Sequence, residues 1–105
     1  MIYNVSDSTF QSEMKSEGLT LVNFWAPWCG ACRSFAPILE EFDTEGTEDV
    51  KILKINIEED GEVANRFQVM SLPTTILFKN SIATDQEIGT LSIEDLKSFI
   101  SRNRL

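Results

Sequence analysis

The sequence predicts an α/β fold in which a mixed five-stranded sheet carries helices on both faces. Two observations lead to this prediction. Strand-like and helix-like patterns alternate along the 105 residues in the order β-α-β-α-β-α-β-β-α, and such alternation is typical of parallel strands joined by crossover helices. The last two strand patterns follow each other directly, which indicates an antiparallel hairpin before the final helix. A chain of this length is expected to form one domain, residues 1–105.

The first two strands are predicted at Met1–Val5 and Leu19–Trp25. The second of them is almost continuously apolar, as expected for a central strand that is covered on both faces. Between the two strands, Ser6 or Asp7 is expected to cap a first helix, and Gly18 is expected to end it.

A second helix is predicted from about Cys29 to Thr44. Pro37 lies inside it and is expected to kink it, because proline removes one backbone hydrogen bond. Apolar side chains recur at helical spacing on the core face, at Phe35, Ile38, Leu39 and Phe42. The acidic side chains predict a solvated face, formed by Glu40, Glu41, Asp43 and Glu45.

The third strand is predicted at Val50–Ile57, and the acidic run Glu58–Glu62 is expected to supply the first turn of a short third helix. Thr74–Lys79 is β-branched and apolar, which predicts a fourth strand. Asn80–Ser81 resembles a hairpin turn, and Ile82–Gly89 is predicted to be the return strand.

The last helix has a clear start signal. Ser92 is its predicted N-cap, and Asp95 stands at the capping-box position. Leu91 and Leu96 are spaced to form a hydrophobic staple across this start.

Both cysteines of the chain, Cys29 and Cys32, lie between the second strand pattern and the second helix pattern. A Cys-x-x-Cys pair in this context is typical of a dithiol redox site. The chain has no histidine, which excludes Cys-His catalysis and leaves the start of the helix as the main activator of a thiolate. The N–H groups of residues 30–32 would face the Cys29 sulfur, and Arg33 could add a positive charge nearby. This geometry predicts that Cys29 attacks a target disulfide and that Cys32 resolves the mixed disulfide.

Three other roles for the cysteines were weighed. Structural zinc takes four ligands, and the chain offers two cysteines and no histidine. A structural disulfide would imply a secreted protein, whereas Met1–Asn4 shows no signal-peptide pattern. Two inert buried cysteines remain an alternative, although Gly30 between them suggests the close approach of another backbone.

The composition narrows the classes of partner. The net charge is -8 and the pI is about 4.4, which argues against nucleic acid and against anionic membranes. No apolar run approaches the ~20 residues of a membrane span. Two cysteines without a targeting segment fit a reducing cytoplasm.

The segment Phe24–Cys32 resembles the active site of the thioredoxin family. The similarity extends over nearly the whole chain, through Pro37, Lys54, Leu72-Pro73-Thr74, Phe78-Lys79-Asn80 and Gly89. It implies the strand order 1-3-2-4-5 with four flanking helices and a protein-disulfide reductase. It also implies that no cofactor is bound and that the redox-active disulfide Cys29–Cys32 carries the electrons. The implied partners are disulfide-containing client proteins and an NADPH-dependent thioredoxin reductase, and we expect a monomer.

The resemblance also implies a client-binding surface. Trp28, beside Cys29, is a large apolar residue that we expect in a contact patch and not in the core. Pro73 would be cis, the backbone of Leu72 would pair with an extended client peptide, and Gly89 would leave room for it. Ile57 extends this patch or belongs to the strand core; the sequence does not separate the two.

Two residues depart from the family pattern. Asn23 stands where most thioredoxins have a buried Asp, so Lys54 has lost its usual carboxylate partner. We expect the proton of Cys32 to leave through water, with Lys54 favouring the Cys32 thiolate. Ala31 stands where Pro is usual, and its additional N–H is expected to make the couple more oxidising than a proline version.

These departures keep two further functions open. One is a specialised thioredoxin-like protein with a narrow range of clients or electron donors. The other is a non-redox binding subunit in which the fold serves as a stabilising module.

Overall fold

The order of strands and helices in the computed structural model, which describes residues 1–45 and 49–104, matches the predicted alternation. The described elements are β1 (Ile2–Val5), α1 (Phe10–Glu13), β2 (Leu19–Trp25), α2 (Gly30–Thr44), β3 (Val50–Asn56), α3 (Glu62–Arg66), β4 (Thr74–Lys79), β5 (Ile82–Ile88) and α4 (Ile93–Arg102). The strands form one mixed sheet in the order β1-β3-β2-β4-β5. Strands β1, β3 and β2 are parallel, and β4 is antiparallel to both β2 and β5. The predicted fold class, with its five strands and four helices, is therefore confirmed.

Strand β2 is the centre of the sheet. It pairs along its whole length with β3, from Leu19 opposite Val50 to Trp25 opposite Asn56, and with β4 from Leu19 to Phe24. Residues 19–24 are all buried, because apolar clusters cover both faces of the strand. This explains why β2 lacks the alternation of a half-exposed strand.

The side chains of β2 alternate between two core clusters. Leu19 and Leu21 pack in a cluster with the apolar faces of α2 and α4. Val22 and Phe24 pack on the opposite face, with residues of α1 and α3. On that second face, Phe10, Phe67 and Phe78 form a cluster with ring centroids 5.3 to 6.1 Å apart.

The predicted cap of the first helix is wrong. Helix α1 is a single turn that begins at Phe10 with Thr9 at the N-cap. Asp7 instead caps α3: its carboxylate accepts the backbone N–H groups of Glu62 at 3.1 Å and of Val63 at 2.9 Å. A carboxylate at this position satisfies two otherwise free donors and complements the helix dipole.

Two predicted boundaries also shift. The acidic residues Glu58–Asp60 precede α3, which begins only at Glu62, because the Asn56 carbonyl holds the N–H groups of Glu59 and Asp60 in a turn. Strand β5 ends at Ile88, and Gly89 follows it with a φ of +96°.

The hairpin and the last helix form as predicted. Asn80 and Ser81 both have positive φ angles, 52° and 70°, as a tight turn between twisted antiparallel strands requires. At the start of α4, Ser92 Oγ accepts the N–H of Asp95 at 3.0 Å. Arg102, near the end of α4, pairs with Asp85 and with Glu87 and so fastens the edge strand β5 to this helix.

Candidate active site

The two cysteines lie where the central strand passes into helix α2. Three residues after β2 the chain turns, and the N–H of Cys29 donates to the carbonyl of Ala26 at 3.1 Å. Cys29 is the N-cap of α2, with extended backbone angles (φ -90°, ψ 109°), and Gly30 is the first helical residue. Cys29 and Cys32 form a disulfide, with their Cα atoms 5.2 Å apart.

The start of the helix directs a backbone donor at the first sulfur. The N–H of Cys32 donates to Cys29 Sγ at 3.1 Å. When the disulfide is reduced, a donor in this position stabilises a thiolate on Cys29, and the positive end of the helix dipole acts in the same direction. Helix α2 is 15 residues long, so its dipole is fully developed.

The contacts of Arg33 and Gly30 are local to the turn and the first turn of α2. Arg33 Nη1 donates to the carbonyl of Pro27 at 2.8 Å, so the guanidinium is held by the backbone of the turn. A Cβ added at Gly30 would meet Arg33 Nη2 at 3.8 Å, an ordinary contact with a side chain. The expectation that Gly30 marks the close approach of another backbone is therefore wrong for contacts within this chain.

A cleft of about 360 Å³ adjoins the cysteine pair. Its lining includes Trp28, Cys29, Ile57 and Leu72, four residues that the sequence analysis assigned to the attacking sulfur or to the contact patch. Trp28 is 64% exposed, which fits a contact surface and excludes a core position. Ile57 lies just beyond the end of β3, where its N–H donates to the carbonyl of Trp25 at 2.9 Å. Its half-buried side chain packs both against a core cluster and against the cluster of Ala26, Cys29 and Cys32, so Ile57 contributes to the core as well as to the cleft.

The Leu72–Pro73 peptide bond is cis, as the resemblance implied. The carbonyl of Pro73 accepts the N–H of Gly89 at 2.8 Å, which places Gly89 beside the cis proline. Gly89 has a φ of +96° and nothing within 4 Å of an added Cβ, so open space adjoins it.

Sequence reasoning missed four residues of the site, namely Val69, Met70 and Ser71 in the lining of the cleft and Thr90 beside α2. Met70 lines the cleft, although no role was predicted for it. Thr90 Oγ1 donates to the carbonyl of Ala31 at 3.1 Å and so ties the loop after β5 to the first turn of α2. The only sequence signal for Met70 was its own apolar side chain three positions before Pro73. No sequence signal pointed to Thr90.

Asn23 lies on the sheet and not in the cleft. It is 2% exposed and stands between Lys54 of β3 and Thr75 of β4 in the strand register. In the described part of the chain, Asn23 Nδ2 and Thr75 Oγ1 are buried without a hydrogen-bond partner, and so is Trp25 Nε1.

Lys54 is directed toward a second cleft. Its Nζ lies 4.9 Å from the centroid of the Trp25 ring, a cation–π distance. Both residues line a cleft of about 480 Å³ together with polar side chains, among them Asn4, Asn56 and Glu59. Burial lowers the pKa of Lys54 below its usual value, and the charge of Glu40 partly opposes this effect.

Residues 1–45 and 49–104 contain no group of three or more acidic, histidine or cysteine side chains that could hold a metal ion. Within the same residues, no helix combines the length and the apolar character needed to cross a bilayer.

Comparison with known proteins gives consistent matches. The thioredoxin family model matches residues 1–102. The chain is 38% identical to the thioredoxin of Bacillus subtilis over 102 residues, which are 97% of each chain. It is 41% identical to the thioredoxin of Listeria monocytogenes over 102 residues, 97% of this chain and 98% of the relative. The identity to the thioredoxin of Rickettsia bellii is 39% over 104 residues, 98% of this chain and 99% of the relative.

The lowered pKa of Lys54 predicts a distinct pH dependence of stability. The unfolded chain holds the Lys54 proton up to the ordinary pKa of 10.5, whereas the folded chain loses it earlier. Between the two values the unfolded state binds more protons, so the free energy of unfolding contributed by Lys54 rises with pH. We expect a Lys54→Met variant to lack this rise when urea unfolding of the disulfide form is followed from neutral pH to about pH 10.5.

Lys97 provides the contrast. Its hydrogen bond to Glu45 raises its pKa, so its stabilising contribution is present at neutral pH and is lost as pH rises through the folded-state pKa. The difference in the free energy of unfolding between the parent and a Lys97→Met variant should therefore change with pH in the opposite direction to that for Lys54→Met. Parallel stability curves for the parent and Lys54→Met would contradict the prediction.

Proposed function

We propose a two-cysteine mechanism for this chain, which belongs to the thioredoxin family and is a thiol-disulfide oxidoreductase that reduces protein disulfides. The observation that carries the mechanism is the hydrogen bond from the Cys32 N–H to Cys29 Sγ at the start of α2. It favours negative charge on Cys29, and Cys29 also lines the cleft beside Trp28. Cys29 is therefore the attacking residue.

The reaction transfers two electrons from the cysteine pair to a client. The Cys29 thiolate attacks one sulfur of the client disulfide, the client S–S bond breaks, and the other client sulfur leaves as a thiolate. Cys32 then loses its proton and attacks Cys29 Sγ, which forms the Cys29–Cys32 disulfide and releases the second client thiolate. Both client sulfurs take up protons from solvent or from the site.

Client binding uses the cleft and the backbone next to the cis proline. The apolar side chains of Trp28, Ile57 and Leu72 offer contact area beside the attacking sulfur. An extended client segment pairs with the backbone of Leu72, in the manner of strand addition, and passes Pro73 and Gly89. The open space beside Gly89 supports this path.

The electrons come from an NADPH-dependent thioredoxin reductase. Residues 1–105 act as a single thioredoxin domain and as a monomer in the cytoplasm, where a reducing environment keeps the dithiol available. The net charge of -8 supports protein clients over nucleic acid or anionic membranes.

The active-site sequence Trp28–Cys32, with Ala31, and the buried Asn23 favour a second candidate. This candidate is a specialised thioredoxin-like reductase with a narrow range of clients or donors. The buried Asn23 supports it, since an amide cannot take the proton of Cys32 as a carboxylate would.

The two cysteines should differ when each is replaced. We expect Cys29→Ser to abolish insulin reduction with NADPH and thioredoxin reductase, because the attacking thiolate is lost. Cys32→Ser should also stop turnover but accumulate a mixed disulfide with insulin, visible on non-reducing gels, because the resolving thiol is absent. Accumulation in the Cys29→Ser variant instead would reverse the assigned roles, and a parent active only with another donor would favour the second candidate.

Asn23 should set the pH dependence of the second step. We propose that water takes the Cys32 proton and that Lys54 favours the Cys32 thiolate. Asn23→Asp places a titrating carboxyl in a site that is 2% exposed, so the pH profile of insulin reduction should gain an additional ionisation. Thr75→Val, which removes a neighbouring unpaired hydroxyl without adding charge, should keep the parent's number of ionisations. Identical profiles for Asn23→Asp and the parent would refute the proposal.

Ala31 should make the couple more oxidising than proline would. Proline at this position removes an N–H from the first turn of α2 and weakens the stabilisation of the Cys29 thiolate. We expect Ala31→Pro to shift the equilibrium with a glutathione buffer toward the disulfide, by on the order of 10–20 mV. Ala31→Ser, which keeps the N–H, is the matched control. A more oxidising Ala31→Pro variant would contradict this account.

A further inference from the structure

Met70 is the most exposed large apolar side chain of the described residues, at 91%. It lines the same cleft as Trp28 and Cys29. A thioether fully open to solvent beside a redox centre is accessible to small oxidants. We propose that Met70 is a site of reversible oxidation, at which a peroxide forms the sulfoxide and thereby weakens the docking of protein disulfides. This inference rests on the function proposed for the cleft.

The backbone holds Met70 at this place. On one side, the N–H of Val69 donates to the carbonyl of Ala64 in α3 at 2.9 Å. On the other side, Thr74 Oγ1 donates to the carbonyl of Ser71 at 2.6 Å. Because both neighbours of Met70 are tied down, its backbone is held at the wall of the cleft, while its side chain is open to solvent.

The other sulfur atoms of the chain do not share this position. Met14 is 8% exposed and packs in the core. Met1 is 77% exposed but lines a different cleft, beside Tyr3 and Lys51. Cys29 and Cys32 are closed in a disulfide in the oxidised protein. Under oxidising conditions Met70 is therefore the exposed thioether of the client cleft.

The reaction needs one oxidant, hydrogen peroxide or an organic hydroperoxide. The thioether sulfur attacks one peroxide oxygen, the O–O bond breaks, and an S=O bond forms. Sulfur is oxidised by two electrons, and the second oxygen leaves as water or as an alcohol. Methionine sulfoxide reductases return the sulfoxide to the thioether, so the change is reversible.

The sulfoxide changes the cleft and leaves the dithiol in place. An apolar, adaptable side chain becomes a polar one that must be desolvated when an apolar client surface covers it. The start of α2 and both cysteine sulfurs are unaltered by this reaction. Oxidation should therefore impair protein clients, which fill the cleft, more than small disulfides, which need only Cys29.

The test starts from the disulfide form, in which the cysteines are protected. The protein is treated with hydrogen peroxide, the peroxide is removed with catalase, and peptide mass spectrometry measures the added oxygen at each methionine. After reduction of the cysteine pair, kcat/KM is measured for insulin and for cystine. We expect treated parent protein to lose about three- to tenfold in kcat/KM for insulin and less than twofold for cystine.

Three variants locate the effect. Met70→Leu cannot be oxidised at this position, so peroxide should leave its insulin activity at its own untreated value. Met1→Leu and Met14→Leu keep Met70 and should lose activity on treatment as the parent does. Incubation of treated parent with methionine sulfoxide reductases of both epimer classes and dithiothreitol should restore the activity.

The outcomes separate the inference from the proposed function. A parent that reduces insulin equally well before and after complete oxidation of Met70 overturns the inference alone. A loss of equal size in treated Met70→Leu, or an equal loss for cystine, also overturns it, because the damage then lies elsewhere. Untreated parent that does not reduce insulin overturns the proposed function, and the inference falls with it.

Discussion

The start of helix α2 is the constraint on which the chemistry depends. Strand β2 is hydrogen-bonded on both sides and buried on both faces, so it cannot change register without exposing apolar side chains. The turn from Ala26 to Cys29 is short and is closed by its own hydrogen bond. The position of Cys29 at the first free N–H groups of α2 is therefore set by the packing of the core, and no charged neighbour is needed to create it.

A row of polar residues crosses the sheet close to this point. The strand register aligns Asn4, Lys54, Asn23, Thr75 and Glu87 from one edge of the sheet to the other. Trp25, two residues beyond Asn23 on β2, packs against the cluster formed by Ala26, Cys29 and Cys32. The sheet thus carries a row of polar residues on the strand that leads to the dithiol, at the end of an otherwise apolar face.

The sequence predicted the elements well where the pattern was local. The continuous apolar run of β2, the Ser92 cap and the Asn80–Ser81 turn are each decided by residues near in sequence, and all three were found. The strand order followed from the family resemblance, since periodicity does not specify which strands become neighbours. The role of Asp7 could not be predicted, because the donors that it binds are 55 and 56 positions away. A carboxylate before an apolar pattern signals an N-cap without saying of which helix.

The same limit applies to the active site. Cys29 and Cys32 were identified because their spacing carries the chemistry. Met70 and Thr90 were missed because their importance comes from tertiary placement alone: one is exposed beside the cleft, and the other bonds a carbonyl 59 positions earlier. Gly30 was misinterpreted for the opposite reason, since glycine is compatible with many environments and its neighbours decide which one applies.

The distance between Asp7 and α3 has a consequence for the order of folding. A helix of five residues is too short to persist in an isolated chain. Its cap forms only when Asp7 and Val63, which are more than fifty residues apart in sequence, have come together. The wall of the cleft that contains Val69 and Met70 follows α3 directly, so its position depends on the pairing of β1 with β3, which brings the two segments together. The helix start beside Cys29 thus depends on the core around β2, whereas the cleft wall opposite it depends in addition on the docking of the amino-terminal segment.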